Sequence, residues 1–551
     1  MAIGTGGINY SLRVGDKVFG WACGDRATMG VATEGMGEDP QKQGYLNCTA
    51  IGNDVRILSG EAKGEKGIVI GKFGTYILIH FEDGVLDKLA IGDNLHVKAC
   101  GIGLEIEGYK DVLTHGMAPE LLEKLDIGEV DGKLEVPVVK EILAEIVGQG
   151  SGGTSLSGNW HIQTCYPPDI GDYGLDELRF GDFVLLKDIQ TDYGKGYYEG
   201  GATLAVVCSG PSDISGMGIG VTPVLSTKFR KITARIDKDA NLATFLGIKT
   251  RNSGTMSSTI LKTNKDKLLT IAVQGVVQPV SSRGYSTTYD GKPKLSIGMA
   301  SINYTVSLGD SAYGWASGDH VEPDVTIQGR DKPVPSECAL AILACIGNEA
   351  TVVSGEAKGT KGVFIGRHAG SDDLVWFPRD SLEKLTLNDK IQIKARGVGL
   401  KIEGFEDVRV NKCSPELLEN MGIAIEDGQL VVPIVLEVPG TIMGSGIGGN
   451  FLETGDYDIQ TTCPDIVERY NLRKLRLGDI VAIRDHYDFW GRGRYKGAIT
   501  IGTVIHGFSD SSGHGPGVNP LLSALPGKIR IKIDPDANTA YYLGLKPRPV
   551  R

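Results

Sequence analysis

Short aliphatic runs bounded by glycine and aspartate recur along the whole chain. Ile68-Val69-Ile70 and Tyr76–Phe81 flank a glycine-containing turn. Phe183–Leu186 and Ala202–Val207 follow, and the same pattern returns as Ile480–Ile483 and Ala498–Ile505. Apolar runs this short, with turn residues at both ends, predict buried β-strands. Helical signals are few. Ser414-Pro415-Glu416-Leu417-Leu418 has an N-cap serine, a proline in the first turn and an early glutamate, and predicts a short helix. Pro119-Glu120-Leu121-Leu122 is its partner, and Cys338–Ile346 predicts a further helix capped by Ser336. The fold class expected is mainly β with a few short helices (α+β).

The pattern is written twice. Gly-Met-Gly-Ile-Gly-Val at 216–221 matches Gly-His-Gly-Pro-Gly-Val at 513–518, an offset of 297 (513 − 216). Nearer the front the offset is smaller: Ile8-Asn9-Tyr10 matches Ile302-Asn303-Tyr304, and Ser59–Gly64 matches Ser354–Gly359. The expected organisation is two homologous domains, residues 1–249 and 262–551, joined by a polar linker at 250–261. Each should carry a small barrel-like subdomain, near Ser59–Val97 or Ser354–Lys394, joined to a larger sheet region. The second copy alone has an additional strand-like run, Leu268–Val273. The first must close that sheet edge in another way.

Composition narrows the function classes. Glycine, at 78 of 551 residues, is about twice its usual share and agrees with many tight turns. A net charge of −11 argues against a broad nucleic-acid-binding face. The first residues have neither a basic segment nor an apolar one, no apolar run approaches about 20 residues, and the nine cysteines are scattered. These features predict a cytoplasmic protein with reduced thiols and no membrane partner. Gly355-Glu356-Ala357-Lys358-Gly359 and its copy look like the strand–turn–strand of small RNA-binding barrels, but the acidic chain favours a structural hairpin. Gly444-Ser445-Gly446-Ile447-Gly448-Gly449 fits G-x-G-x-x-G, yet a polar, aperiodic segment follows it, so a plain glycine loop is the favoured reading over a dinucleotide site or an anion nest.

The informative chemistry is where the copies disagree. Asp319-His320-Val321-Glu322, Asp456-Tyr457-Asp458, Asp485-His486, His506 and His514 in the second copy face Asp25-Arg26-Ala27-Thr28, Asn159-Trp160-His161, Asp188-Ile189, Ser209 and Met217 in the first. Four imidazoles absent together suggest one shared site at strand ends and loops. The expected roles are catalytic for His486, Asp485 and His514, and metal-ligating for His320, Glu322 and His506. Arg492, Arg494 and Asp458 are the expected substrate-binding residues. Imidazole with carboxylate suits a divalent metal (Zn, Mn or Fe) and equally suits metal-free acid–base work. His161 reads as a packed, hydrogen-bonded residue.

The phrases Gly-Asp-His-Val-Glu-Pro-Asp-Val-Thr-Ile at 318–327, Ala-Cys-Ile-Gly-Asn-Glu-Ala at 344–350, Tyr-Asp-Ile-Gln-Thr-Thr at 457–462 and Gly-His-Gly-Pro-Gly-Val at 513–518 resemble the bacterial domain of unknown function numbered 4438. Members are usually single copies about half this chain's length, and the resemblance covers the second copy densely. The first copy keeps the scaffold phrases and departs at Arg26, Ile189, Ser209 and Met217. The resemblance implies fold relatives and no reaction.

Two function classes stand. One is a cytosolic hydrolase or lyase acting on a small polar, anionic molecule at the second copy. The other is a non-catalytic binding or assembly protein that forms a homo-oligomer. The asymmetric histidine set favours the first, because assembly alone gives no reason for it.

Overall fold

The computed structural model describes residues 28–35, 38–156, 158–247, 271–277, 281–299, 302–303, 322, 324–329, 335–369, 372–449 and 455–549. The expectations for His320 and for the linker at 250–261 lie outside the described residues. The chain divides into two compact units, Met1–Met256 and Ser257–Arg551. Both are mostly β with short helices, and each repeats the other's architecture.

In the first unit, five strands form a small curled sheet: β1 (Val31–Thr33), β2 (Asp54–Ile57), β3 (Lys66–Phe73), β4 (Tyr76–His80) and β5 (Leu95–Val97), in the order β1-β4-β3-β2-β5. Alternation puts Val55, Ile57, Val69, Ile77 and Ile79 into its core, packed under helix α1 (Asp39–Cys48). A larger sheet follows in the order β8-β11-β10-β9-β7. These strands are β7 (Lys140–Leu143), β8 (Trp160–Gln163), β9 (Phe183–Gln190), β10 (Gly196–Val207) and β11 (Gly218–Thr227); β6 (Leu113–Thr114) also pairs with β11.

The second unit repeats this plan and completes it. Its first sheet contains β12 (Ile271–Val277), β15 (Asp324–Gly329), β16 (Glu349–Val352), β17 (Lys361–His368), β18 (Asp372–Trp376) and β19 (Lys390–Ala395); a hairpin of β13 (Ser281–Thr287) and β14 (Pro293–Met299) precedes β15. The order is β12-β19-β16-β17-β18-β15, and β15 pairs back onto β12. The extra strand therefore closes a six-stranded barrel. Closure removes both edges, which open sheets must otherwise protect. Among the described residues, β1 and β5 of the first unit remain edges. The larger sheet is β20 (Arg409–Val410), β25 (Gly517–Ala524), β24 (Gly493–Val504), β23 (Ile480–Tyr487) and β21 (Leu436–Pro439), with β22 (Tyr457–Asp458) also paired to β25. One core runs under barrel and sheet, through Phe364, Ile391, Ile393, Ile480, Ile501 and Leu521.

Ser414 caps its helix, Pro415–Asn420, by accepting a hydrogen bond from the Leu417 amide at 3.1 Å. The helix expected from Cys338 starts earlier, at Pro335, and ends at Leu343. The glycine loop 444–449 is not an anion nest. Its amides are spent on protein carbonyls: Gly444 on Asp458, Ser445 on Gly513 and Gly448 on Arg492. The Gly-Glu-Ala-Lys-Gly turn is a hairpin with Gly355 and Gly359 in the left-handed region (φ 70° and 92°). Lys361 beside it is engaged by Glu349 at 2.6 Å and Thr351 at 2.9 Å.

Each unit delivers one lysine to the last turn of a helix from a different place in the chain. In the first, Lys72 Nζ donates to the Leu46 carbonyl at 2.6 Å. In the second, Lys412 Nζ donates to the Ala341 carbonyl, at the equivalent position. Position 116, opposite Lys412, is glycine, and Lys72 Nζ fills its space. The exchange leaves position 367, opposite Lys72, open to an arginine. Arg367 pairs across β17 and β18 with Asp373 at 2.6 Å, both buried.

Candidate metal centre

The site of the second unit sits where the end of the β17–β18 hairpin meets the large sheet. Asn519 on β25 fastens the two, accepting from the Arg367 amide at 2.7 Å and donating to the Arg367 carbonyl at 2.8 Å. The Ala369 amide then donates to Asp456 Oδ1 at 2.8 Å. This docking carries His368, the last residue of β17, to the start of β22.

Around that junction lies a chain of buried imidazoles and carboxylates. His368 Nδ1 and Glu322 Oε1 are 2.6 Å apart, and Thr326 donates to the other oxygen of Glu322 at 2.6 Å. Asp372, opposite His368 in the ladder, accepts from Gln328 at 2.7 Å. The His368 and His506 rings are 4.1 Å apart. His506 Nε2 lies 2.8 Å from Asp456 and 3.4 Å from Asp458, and Asp458 reaches His514 Nδ1 at 2.9 Å. His514 is the solvent end, with 23% of its side chain exposed; Glu322 and His506 are fully buried. His368, Asp456 and His506 each offer a ligand atom within 4.8 Å of the others, and so do Glu322, His368 and Asp372.

Burial opposes charge on His506. The hydrogen bonds and charges of Asp456 and Asp458 outweigh it and raise its pKa well above the usual imidazole value. Gly517 is required for this approach, because a Cβ there would collide with Asp456 and His506.

The first unit keeps the frame and neutralises the set. Thr222 makes the docking bonds to Lys72 that Asn519 makes to Arg367. Thr28, Phe73, Asn159, His161, Ser209 and Met217 stand opposite Glu322, His368, Asp456, Asp458, His506 and His514. His161 contacts Asn159 at 2.9 Å and the Gly218 carbonyl at 3.1 Å, and Phe73 meets it edge-on. It is packed and hydrogen-bonded, as its sequence context suggests.

Of the residues expected from sequence, Glu322, Asp458, His506 and His514 are brought together. His486 is not. Side chains alternate along 456–458, so Asp456 and Asp458 face the cluster while Tyr457 faces away. His486 stacks on that far side, 5.0 Å from the Tyr457 ring, and burial with Arg492 nearby lowers its pKa to about 3. Asp485 belongs to a turn: at φ 57° it accepts the Gly497 amide at 2.6 Å, as Asp188 (φ 56°) accepts that of Gly200 in the first unit. Arg492 is a structural pin, donating to the carbonyls of Asp456 and Gly455 and stacking on Tyr457. Arg494 is buried opposite His486 in the ladder. His368 and Asp372 escaped sequence reasoning. The copy-to-copy contrast that exposes His506 also exposes His368, which stands opposite Phe73.

A second buried imidazole gives a test of the first unit. His115 lies opposite Asn411, and burial, with Lys195 and Lys72 near, lowers its pKa to about 4. A base with a depressed folded pKa must take up a proton on unfolding once the pH falls below about 6.5. Stability of the first unit should therefore fall by about 3 kcal/mol between pH 6.5 and 4 on this account. His115→Asn should remove that part of the slope, as read by denaturant unfolding across the range. Equal slopes in both proteins would refute the assignment.

These features define a tandemly duplicated β-rich domain with, among the described residues, a buried histidine–carboxylate cluster in its second copy only. Residues 1–123 and 285–419 match the domain of unknown function (DUF4438), N-terminal, and residues 124–246 and 420–543 match the domain of unknown function (DUF4438), C-terminal. The chain belongs to this family, with both parts present twice. A solved structure described as "Crystal structure of TM1086" is 43% identical, with 51% of this chain and 99% of that chain covered and a TM-score of 0.49. None of the curated proteins compared matches the chain.

Proposed function

We propose that the second unit is a divalent-metal centre serving a hydrolase or lyase that acts on a small polar, anionic molecule, with the first unit as its inert structural partner. One observation carries the reading: ligand atoms of His368, Asp456 and His506 converge within 4.8 Å in the second unit, and the matching positions of the first are neutral or apolar. Four buried carboxyl groups (Glu322, Asp372, Asp456, Asp458) face three imidazoles, so the acidic groups of the set outnumber its basic ones. Buried charge of this kind is stabilised by a cation.

His368, His506 and Asp456 would hold the ion, with Glu322 and Asp372 beside them. Thr326 and Gln328 orient those two carboxylates. A divalent ion there supplies Lewis-acid polarisation of a carbonyl or phosphoryl oxygen. His514, on the solvent side and hydrogen-bonded to Asp458, is placed to move a proton between the cluster and solvent.

Titration of metal-stripped protein with Zn²⁺, Mn²⁺ and Fe²⁺ tests this. One saturable equivalent per chain is expected, together with metal-dependent hydrolysis of a generic probe such as p-nitrophenyl phosphate or acetate. Two equal sites per chain, or none, would sink the metal reading.

The second reading is an assembly protein, a homo-oligomer without catalysis. Among the described residues β1 and β5 are the edges of the first unit's small sheet, and sheet edges invite strand addition, which favours it. Metal-free protein with a multimeric mass in solution would support it. In either case we read the protein as cytoplasmic and without a nucleic-acid partner. Lys358→Ala with Lys361→Ala should leave folding and RNA affinity unchanged in a filter-binding assay. Salt-sensitive binding lost in that variant would contradict this.

A further inference from the structure

The second unit contains a cavity of about 220 Å³ whose lining shares no residue with the histidine–carboxylate cluster. Its wall has two characters. Lys401 and Arg409 line it as cations with one carboxylate, Glu406, and Lys412 lines it with its ammonium turned to the Ala341 carbonyl. Leu400, Val408, Val410 and Phe489 supply an apolar face. Arg409 is oriented by the protein: Nε donates to Asn411 Oδ1 at 2.9 Å, Nη1 donates to the Phe489 carbonyl, and the guanidinium stands 5.7 Å over the Phe489 ring. Apolar side chains at the mouth are open to solvent: Ile342 is 40% and Val398 49% exposed. Trp490, 78% exposed, extends the aromatic surface, its ring 4.8 Å from that of Phe489.

The wall behind Asn411 is polar. Asn411 Nδ2 lies 3.5 Å from Asp488 Oδ2.

The first unit lacks the arrangement. Leu113 pairs with Ser226 as Arg409 pairs with Ser523, which fixes the correspondence. In that register Glu105, Leu113, Gly116 and Asp192 stand where Lys401, Arg409, Lys412 and Phe489 stand. The three cations and Phe489 are replaced together, while Tyr193 stands opposite Trp490 and Lys110 opposite Glu406.

We infer that this cavity is a binding site for a small carboxylate with a flat apolar body. The carboxylate lies toward Arg409 and Lys401, where a guanidinium fork and an ammonium favour it, and the apolar body lies against Phe489. The volume is below the ~300–1,000 Å³ usual for drug-sized ligands, so the molecule is compact.

Benzoate is the probe, with benzamide as its neutral isostere, titrated into the metal-stripped chain by calorimetry and tryptophan fluorescence. Metal-free conditions separate this test from that of the metal centre. One saturable benzoate equivalent per chain is expected, with benzamide at least about tenfold weaker, a difference of 1.4 kcal/mol. Lys401→Glu, on the exposed rim, and Arg409→Leu, the first unit's residue, should each weaken benzoate at least about tenfold. Thermal unfolding of Lys401→Glu checks that its fold is intact. No saturation by about 10 mM benzoate, equal binding of benzamide, or unchanged affinity in a folded Lys401→Glu protein would each overturn the assignment.

Discussion

His368→Phe together with His506→Ser should abolish divalent-ion binding outright, while His161→Ala should leave it untouched. The two replacements install the side chains that the first unit carries at those positions. They remove both imidazoles from the convergent set and leave carboxylates that cannot bring neutral nitrogen donors to the ion. Losing two ligands from one centre should take affinity out of the measurable range, because each imidazole contributes both a bond and geometry. Ion binding to the native fold also raises stability by mass action, by about 2.7 kcal/mol at a hundredfold excess over Kd. The double variant should show no such rise on metal addition, whereas the parent and His161→Ala should. His486→Ala should also retain the ion, because His486 stacks on the far side of Tyr457. Binding that survives loss of both His368 and His506, measured by elemental analysis after gel filtration, would show that the ligands lie elsewhere.

Arg367→Met should destabilise the second unit by about 3–5 kcal/mol, the usual loss when one partner of a buried ion pair is removed. Arg367 and Asp373 are each only 1% exposed, and Nη1 donates to Oδ2 at 2.6 Å. Asp373 would be left as an uncompensated buried carboxylate. Burial already raises its pKa, with Arg367 and then Lys412 opposing the rise. Without Arg367 it should rise further. A carboxyl with a raised folded pKa holds a proton in the native state that the unfolded state releases, so stability falls as pH rises through that window. The loss should therefore be larger at pH 8 than at pH 5. Adding Asp373→Ile should restore most of the stability, because the first unit has Ile77 there and sends Lys72 to the helix end instead. Chemical denaturation of the two variants decides it. A single variant within about 1 kcal/mol of the parent would show that the pair contributes little beyond surface ion pairs.

Much of this protein was legible in its residue order. Short continuous aliphatic runs between turn residues specify strands buried on both faces, because such runs leave no polar side chain to face water. The repeat of glycines and turns specifies two like domains, and Ser414 specifies its helix start through local hydrogen bonding. The loss of polar residues in one copy marked Glu322, Asp458, His506 and His514, which share one cluster. Tertiary structure decided the rest. Whether an imidazole joins that cluster depends on which face of its strand it occupies and where the strand docks. His486 lies just beyond the turn at Asp485, its ring on the Tyr457 side of β22, and so leaves the set. His368 enters it only because Asn519 fastens the end of β17 against the large sheet, more than a hundred residues away along the chain. Closure of the second barrel is likewise non-local. The run at Leu268–Val273 reads as a strand on its own, but only the paired edges of β15 and β19 make β12 the element that seals the second unit and, among the described residues, distinguishes it from the first.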